Sequence, residues 1–227
     1  MSEDAPVFLP TPPEELPLEP EPPATPPEPC LVLIGRFQPF HRGHAALIDA
    51  ALAHASTTVV TSNSGDGNSS DGRLRIGIGS SNRMESIENP WTWEEREQMM
   101  KIWLESAHPN ADVDIVAIPD IDDPPNWVSH ASRYHGEAGQ LFTSDERTTE
   151  LYAAAGWPTI SSPLEARESW EGWRIRGTLR MLSTVSDREP AIEVMSATIP
   201  RSVSEFLYDE GLLHRLAYHS TGGEPVG

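Results

Sequence analysis

The chain has 227 residues, a formal net charge of −19 and a single cysteine, Cys30. This length suffices for one domain with a buried core plus appendages. The acidic charge argues against nucleic acid as a partner, because a phosphate backbone would be repelled. No apolar run approaches the ~20 residues that a membrane helix needs, so we expect no membrane association. One cysteine cannot form an internal disulfide, and we expect a soluble, cytoplasmic protein.

The first 29 residues differ sharply in composition from the rest. They hold 11 of the 22 prolines and seven acidic residues, and they hold no basic residue. Such a segment has too little apolar surface to offset the entropy of ordering. We therefore predict a disordered tail over residues 1–29, a single domain over 30–217, and a flexible C-terminus over 218–227.

The stretch that organises the domain follows at residues 30–44. Residues 31–34 form a short apolar run, typical of a strand buried on both faces of a parallel sheet. Gly35 ends that run, and the Ala- and Leu-rich residues 45–55 predict a helix. A strand, a glycine turn and a helix N-terminus offer free N–H groups and a positive dipole end to a phosphate. The sequence therefore predicts a site for anionic oxygens at this turn.

The turn itself reads Gly-Arg-Phe-Gln-Pro-Phe-His-Arg-Gly-His over residues 35–44. It resembles the signature of the HxGH nucleotidyltransferases. The residues match the form of this signature in the branch that includes archaeal-type nicotinamide mononucleotide (NMN) adenylyltransferases. The resemblance implies adenylyl transfer from ATP to NMN, with Mg²⁺ accompanying the ATP. It also implies phosphate contacts from the turn and from Arg176, which falls on the arginine of a later family motif. The implied catalytic residues are His41, His44, Arg36 and Arg176, and the implied ATP-binding residues are Gly35, Arg36, Phe37, His41, His44 and Arg176.

Further along the chain, apolar runs alternate with helical segments. We predict strands at 74–79, 113–118, 139–143 and 159–160, and helices at 93–107, 147–155 and 200–216. This alternation predicts an α/β fold, a Rossmann-like doubly wound parallel sheet with the site at the carboxyl ends of its strands. Residues 57–61 have strand propensity and precede a run of turn formers. Relative to the family, an insertion near 57–72 is expected, either a hairpin arm or a mobile flap.

Two segments resemble the acceptor side of the family. Residues 80–96 resemble a second signature, in which Thr92 and Glu95 also fit a capping box. Residues 126–130 resemble the segment that receives the nicotinamide ring, although Pro124 stands where the family has an asparagine. The implied NMN-binding residues are Asn82, Asn89, Trp91, Asn126 and Trp127.

Two other segments depart from the family. Asp145 and Glu146 replace an amide and a proline, and Glu171 replaces a serine in the motif that contains Arg176. If Glu171 lies near the phosphates, Arg174 or Arg176 is its expected partner. Two alternatives remain open. One is a sister nucleotidyltransferase that uses CTP or another phosphorylated acceptor on the same fold. The other is a non-catalytic nucleotide-binding regulatory protein, which the departures at 144–146 and 171–174 and the insertion would suit.

The sequence also leads to expectations about metal binding and oligomeric state. A polyphosphate-bound Mg²⁺ keeps several waters and needs no dense carboxylate cage, so no residue is assigned as a metal ligand. The scattered histidines and the single cysteine also lack the spacing of a zinc site. We expect a homo-oligomer without a particular number of copies.

Overall fold

A five-stranded sheet forms the centre of the computed structural model, which describes residues 18–62, 72–164 and 167–218, with 58–62 and 167 described by their backbone alone. All of its pairings are parallel, and the strand order is β3-β2-β1-β4-β5. The strands are β1 (Cys30–Gly35), β2 (Leu74–Ile78), β3 (Val113–Ala117), β4 (Gly139–Thr143) and β5 (Thr159–Ser161). The predicted doubly wound α/β sheet is confirmed.

Helices connect and flank these strands. They are α1 (Arg42–Ser62), α2 (Trp93–Ala107), α3 (Pro124–His135), α4 (Glu146–Ala154), α5 (Gly172–Leu182), α6 (Arg188–Ser196), α7 (Arg201–Asp209) and α8 (His214–Tyr218), with a 3₁₀ helix at Arg167–Trp170 before α5. The helix predicted at 93–107 is confirmed, including its capping box at Thr92 and Glu95. None of the helices in the described parts of the chain is long and apolar enough to cross a membrane.

Two sequence-based predictions of secondary structure were wrong. Residues 57–61, expected as a strand, continue α1, because neither glycine nor proline interrupts the helix before Ser62. The remainder of the predicted insertion, residues 63–71, lies outside the described residues. The helix expected over 200–216 is two helices, separated by a turn in which Gly211 has a φ of +67°. A left-handed φ suits glycine, and the chain turns there instead of continuing the helix.

β1 supplies side chains to both layers of the core. Leu31 and Leu33 pack in the larger cluster, with α1, α2 and the C-terminal helices. Cys30 and Val32 pack in the smaller one, with α3 and α4. This alternation follows from the period of two along a strand, with helices covering both faces.

β1 also marks the point where the chain reverses its winding. It pairs with β2 on one side and β4 on the other, so the two halves of the sheet diverge from its carboxyl end. A crevice at such a point is the usual ligand site of open parallel sheets. The turn at residues 35–44 begins there.

Residues 18–29 form neither helix nor strand, but they contact the domain. Arg75 donates from Nη1 to the Glu28 carbonyl at 3.0 Å, and the Ser81 hydroxyl donates to the Glu19 carbonyl at 3.2 Å. Arg75 lies near the amino end of β2, whereas Ser81 follows its carboxyl end. This part of the predicted tail therefore runs the length of β2. Residues 1–17 and 219–227 lie outside the described residues.

Candidate active site

The turn after β1 is held by its neighbours in the sheet and by the second signature. The Gly79 N–H donates to the Gly35 carbonyl at 2.9 Å. Phe37 has a φ of 52° and is buried, and it presses its ring against Gly35, where a Cβ would lie 3.0 Å from the ring. Gln38 is buried and exchanges two hydrogen bonds with the Trp91 backbone, donating to its carbonyl at 2.8 Å and accepting its N–H at 3.2 Å. The two signature segments are therefore joined.

His41 and His44 form a stacked pair at the start of α1. Their ring centroids are 3.6 Å apart, with an interplanar angle of 20°. The His44 backbone N–H donates to His41 Nδ1 at 3.3 Å. Because Nδ1 accepts, a neutral His41 carries its proton on Nε2 and can donate from that atom.

Burial keeps this pair neutral. It lowers the pKa of His41 to about 4. The pKa of His44 is also well below its ordinary value, first because of burial and second because of repulsion from His41. Its Nδ1 is buried and has no hydrogen-bond partner in the described part of the chain. Two neutral rings can stack closely without the cost of two adjacent cations.

Trp170 and Gly43 pack against one side of the His41–His44 pair. The Trp170 ring lies parallel to that of His41, with centroids 6.4 Å apart. A Cβ added to Gly43 would come within 2.9 Å of the Trp170 side chain and 3.1 Å of the His41 ring. The motif therefore needs glycine at this position for packing.

Two of the predicted arginines meet at the same turn. Arg176, on α5, donates from Nη1 to the Gln38 carbonyl at 2.8 Å. Its pKa is lowered, mainly by burial and next by repulsion from Arg36, so the two guanidinium groups are close enough to interact. The side chain of Arg36 is exposed. The predicted residues His41, His44 and Arg36 thus lie on the turn that follows β1 or at the helix start it leads to, and Arg176 contacts this turn from α5.

A fifth basic residue, Arg96, was missed by the sequence analysis. It is 1% exposed, and its guanidinium donates to carbonyls at the ends of β1 and β2. The signal was present, since Arg96 ends the second signature. In the sequence it is indistinguishable from an exposed helix arginine.

The residues predicted for the acceptor side occupy different environments. Asn82 makes two hydrogen bonds to the Asp120 backbone, at 3.0 and 2.7 Å. Asn89 has a buried Oδ1 for which the described residues provide no partner. Trp91 is 1% exposed and donates its indole N–H to the Leu212 carbonyl at 3.3 Å, so its side chain is part of the core.

The other two acceptor-side residues lie at the start of α3. The exposed Asn126 donates to an Asp123 carboxylate oxygen at 2.8 Å. Trp127 is half-buried, with its ring edge-on to that of Tyr152 at a centroid distance of 6.2 Å. Both follow β3, on the same edge of the sheet as the histidine pair.

The two departures from the family have structural explanations. The Asp145 carboxylate accepts the Thr148 N–H at 2.9 Å and thereby caps α4. Glu171 pairs with Arg174 at 3.0 Å on the exposed surface at the start of α5. The carboxylate of Glu171 therefore has a partner other than Arg176.

The described residues do not form a resident metal site. Within residues 18–62, 72–164 and 167–218, no three His, Cys, Asp or Glu side chains are grouped so as to hold a metal ion.

Comparison with known proteins agrees with this geometry. The family model described as cytidylyltransferase-like matches residues 32–136, which contain the stacked histidines, Arg36 and Arg96. The matched region begins in β1 and ends just after α3, so it contains four of the five basic side chains described above.

Relatives of known name resemble a larger part of the chain. It is 29% identical over 147 residues to a nicotinamide-nucleotide adenylyltransferase of Picrophilus torridus, covering 65% of this chain and 77% of the relative. It is 26% identical over 194 residues to the protein of the same name in Thermoplasma acidophilum, covering 86% and 93%. The similarity to the second relative therefore extends over more of the chain than residues 32–136.

A solved structure shares the fold. It is a bifunctional NMN adenylyltransferase/ADP ribose pyrophosphatase from Francisella tularensis, with a TM-score of 0.60 and 18% identity. The match covers 85% of this chain and 53% of that one, so the present chain spans about half the length of the bifunctional protein.

Proposed function

We propose that this protein transfers the adenylyl group of ATP to NMN, which yields NAD and pyrophosphate. The observation that carries the proposal is the stacked His41–His44 pair at the turn after β1, since this turn also contains Arg36 and accepts a hydrogen bond from Arg176 through the Gln38 carbonyl. The names of the relatives support this choice of substrates.

In the proposed reaction a phosphate oxygen of NMN forms a bond to the α-phosphorus of ATP. The bond from that phosphorus to the bridging oxygen of the β-phosphate breaks, and its electron pair leaves with pyrophosphate. The NMN phosphate is already ionised near neutral pH, so no general base is needed. The protein's task is to align the reactants and stabilise charge on the phosphate oxygens.

The ATP side of the site is assigned to the turn and to α5. His41 donates from Nε2, because its Nδ1 is occupied by the His44 N–H. Arg36 and Arg176 make charge-assisted contacts with the phosphates. We assign the backbone of Gly35 and Phe37 to the same side, since the left-handed φ of Phe37 sets the direction of the turn.

The acceptor side is assigned to Asn82, Asn89, Asn126 and Trp127. The unpartnered Oδ1 of Asn89 suits an N–H donor such as the carboxamide of nicotinamide. Trp127, half-buried, offers a surface for stacking. Trp91 acts on this side through its backbone, which holds Gln38.

Mg²⁺ enters this proposal as part of the substrate, bound to the phosphates of ATP. Such an ion keeps several waters and requires few protein ligands. A second crystal structure of the Francisella protein contains AMP and a manganese ion. The expected homo-oligomer and the cytoplasmic location stay predictions.

The test is pyrophosphate release over a matrix of nucleoside triphosphates and phosphorylated acceptors. We expect the fastest turnover with ATP and NMN. A preference for CTP or another acceptor would instead support the sister nucleotidyltransferase, as the cytidylyltransferase-like match allows. Nucleotide binding without turnover would support the regulatory alternative.

A variant of the His41–His44 pair tests the proposed mechanism. Removing one preorganised donor should affect the transition state more than ground-state binding. We expect His44→Ala to lower kcat by about 10²-fold, with a modest change in the KM for ATP. An unchanged kcat in a folded variant would contradict the proposed mechanism.

A further inference from the structure

Arg96 is a buried cation whose hydrogen bonds all go to backbone carbonyls. It donates from Nε to the Thr92 carbonyl at 3.1 Å and from Nη1 to the Arg36 and Gly79 carbonyls at 2.7 and 2.9 Å. Nη2 donates to the Ser80 carbonyl at 3.2 Å. These four bonds use four of the five N–H groups of the side chain.

The four acceptors come from three separate segments. The Arg36 carbonyl directly follows β1, the Gly79 and Ser80 carbonyls follow β2, and the Thr92 carbonyl belongs to the N-cap residue of α2. A single rigid guanidinium therefore fixes the ends of two adjacent strands relative to a helix. No other residue type has donors in a fork that could satisfy this set.

The charge of Arg96 is not balanced by a carboxylate in contact. In the part of the chain that the structure describes, Glu94, Glu95 and Asp120 act on it only at a distance, and Arg36 repels it. Burial and then Arg36 lower its pKa to about 10, so it remains charged at neutral pH. Buried charges are normally paired, because desolvation is costly.

We infer that Arg96 is the positioning residue of the phosphate site: it holds the backbone of the Arg36 turn and the ends of β1 and β2 in the geometry that in-line transfer requires, and its charge is balanced by the polyphosphate when substrate binds. The inference rests on the proposed function. Arg96 acts through Arg36, whose carbonyl it holds, and through the turn that leads to His41.

The chain offers a matched control in Arg75. That arginine is 2% exposed, lies on β2 and also donates to carbonyls, those of Glu28 and His135, besides Asp114. It lies near the amino end of the strand, away from the turn. Arg75→Lys thus repeats the loss of a buried guanidinium without touching the site.

The experiment compares Arg96→Lys, Arg96→Met and Arg75→Lys with the wild-type chain. We expect Arg96→Lys to lower kcat at least about 10-fold while KM for ATP changes less than about threefold, because lysine keeps the charge but loses the fork. Arg75→Lys should lower the melting temperature but leave both constants within about twofold. A kcat of Arg96→Lys within twofold of the wild type, or an equal loss in Arg75→Lys, would overturn the inference.

A second readout does not depend on turnover. Inorganic pyrophosphate should raise the melting temperature of the wild type and of Arg75→Lys, and this increase should fall by half or more in Arg96→Met. Equal increases in all three would overturn the inference. If the wild type turns over no substrate pair, the proposed reaction fails, whereas this readout still decides the role of Arg96. If both Arg96 variants fail to fold at 20 °C while Arg75→Lys folds, Arg96 is a stability residue and the inference is wrong.

Discussion

The buried histidine pair makes the stability of the protein depend on pH in a measurable way. His41 is 5% exposed, and its pKa in the folded state is about 4, against about 6.5 in an unfolded chain. Between these values the unfolded state binds the proton and the folded state does not. Stability is therefore full above about pH 6.5 and is lost as the pH falls toward 4.

The size of this effect follows from the shift. One pKa unit corresponds to about 1.36 kcal/mol, and integration from pH 7 to pH 4.5 gives a loss of about 2 kcal/mol for His41 alone. His44 and His135, whose pKa values are also lowered by burial, act in the same direction. The contribution of His41 must therefore be measured as a difference.

The variant for this measurement is His41→Asn, whose side-chain oxygen can still accept the His44 N–H. Urea unfolding at pH 7.0, 6.0, 5.0 and 4.5 should show that the wild type loses about 2 kcal/mol more than the variant over this range. His214→Asn, on the exposed start of α8, is the control for removing one histidine. If His41→Asn and the wild type lose stability in parallel, the neutral buried state of His41 is refuted.

Three further variants test packing, acceptor binding and phosphate binding. Gly43→Ala should lower the free energy of unfolding by about 1–3 kcal/mol, because the added Cβ would overlap the Trp170 indole and the His41 imidazole. The control is Gly177→Ala, whose Cβ meets no atom within 4 Å and should not destabilise the protein; equal melting temperatures for the two variants would contradict this prediction. Trp127→Ala should raise KM for NMN much more than KM for ATP in steady-state assays, since a stacked ring contributes about 0.5–1.5 kcal/mol beyond burial. Equal increases in the two KM values would assign Trp127 to the core alone. Arg176→Ala should lower kcat/KM for ATP by at least about 10-fold, whereas Glu171→Ser should keep its activity because the Glu171 carboxylate lies at the surface. A larger loss of kcat/KM in Glu171→Ser than in Arg176→Ala would mean that this motif is misaligned with the family.

Local signals in the sequence were enough to predict the sheet and the turn. The strand ending at Gly35 and the capping box at Thr92 depend on neighbouring residues, and both are confirmed. The same local reasoning failed at residues 57–61, where β-branched side chains suggested a strand but the preceding helix simply continues. The break at Gly211 separates two apolar segments that together have helical periodicity, which hides the turn.

The candidate site was predictable only as far as its motifs reach. His41 and His44 are close in sequence, so their juxtaposition at a helix start could be expected. The contacts of Gln38 with Trp91 join residues 53 positions apart, and no local pattern reveals them. For the same reason the sequence could not show that the Trp91 side chain is buried or that Arg96 gathers the ends of two strands.

The path of residues 18–29 affects where the protein can be shortened. The sequence places the start of the domain at Cys30, yet Glu19 and Glu28 make hydrogen bonds at opposite ends of β2. A version that starts at Cys30 would leave one N–H of the buried Arg75 without its carbonyl, which costs about 1–3 kcal/mol. A fragment for crystallisation or NMR should therefore begin at or before Leu18, so that it keeps both the Glu19 and the Glu28 carbonyls.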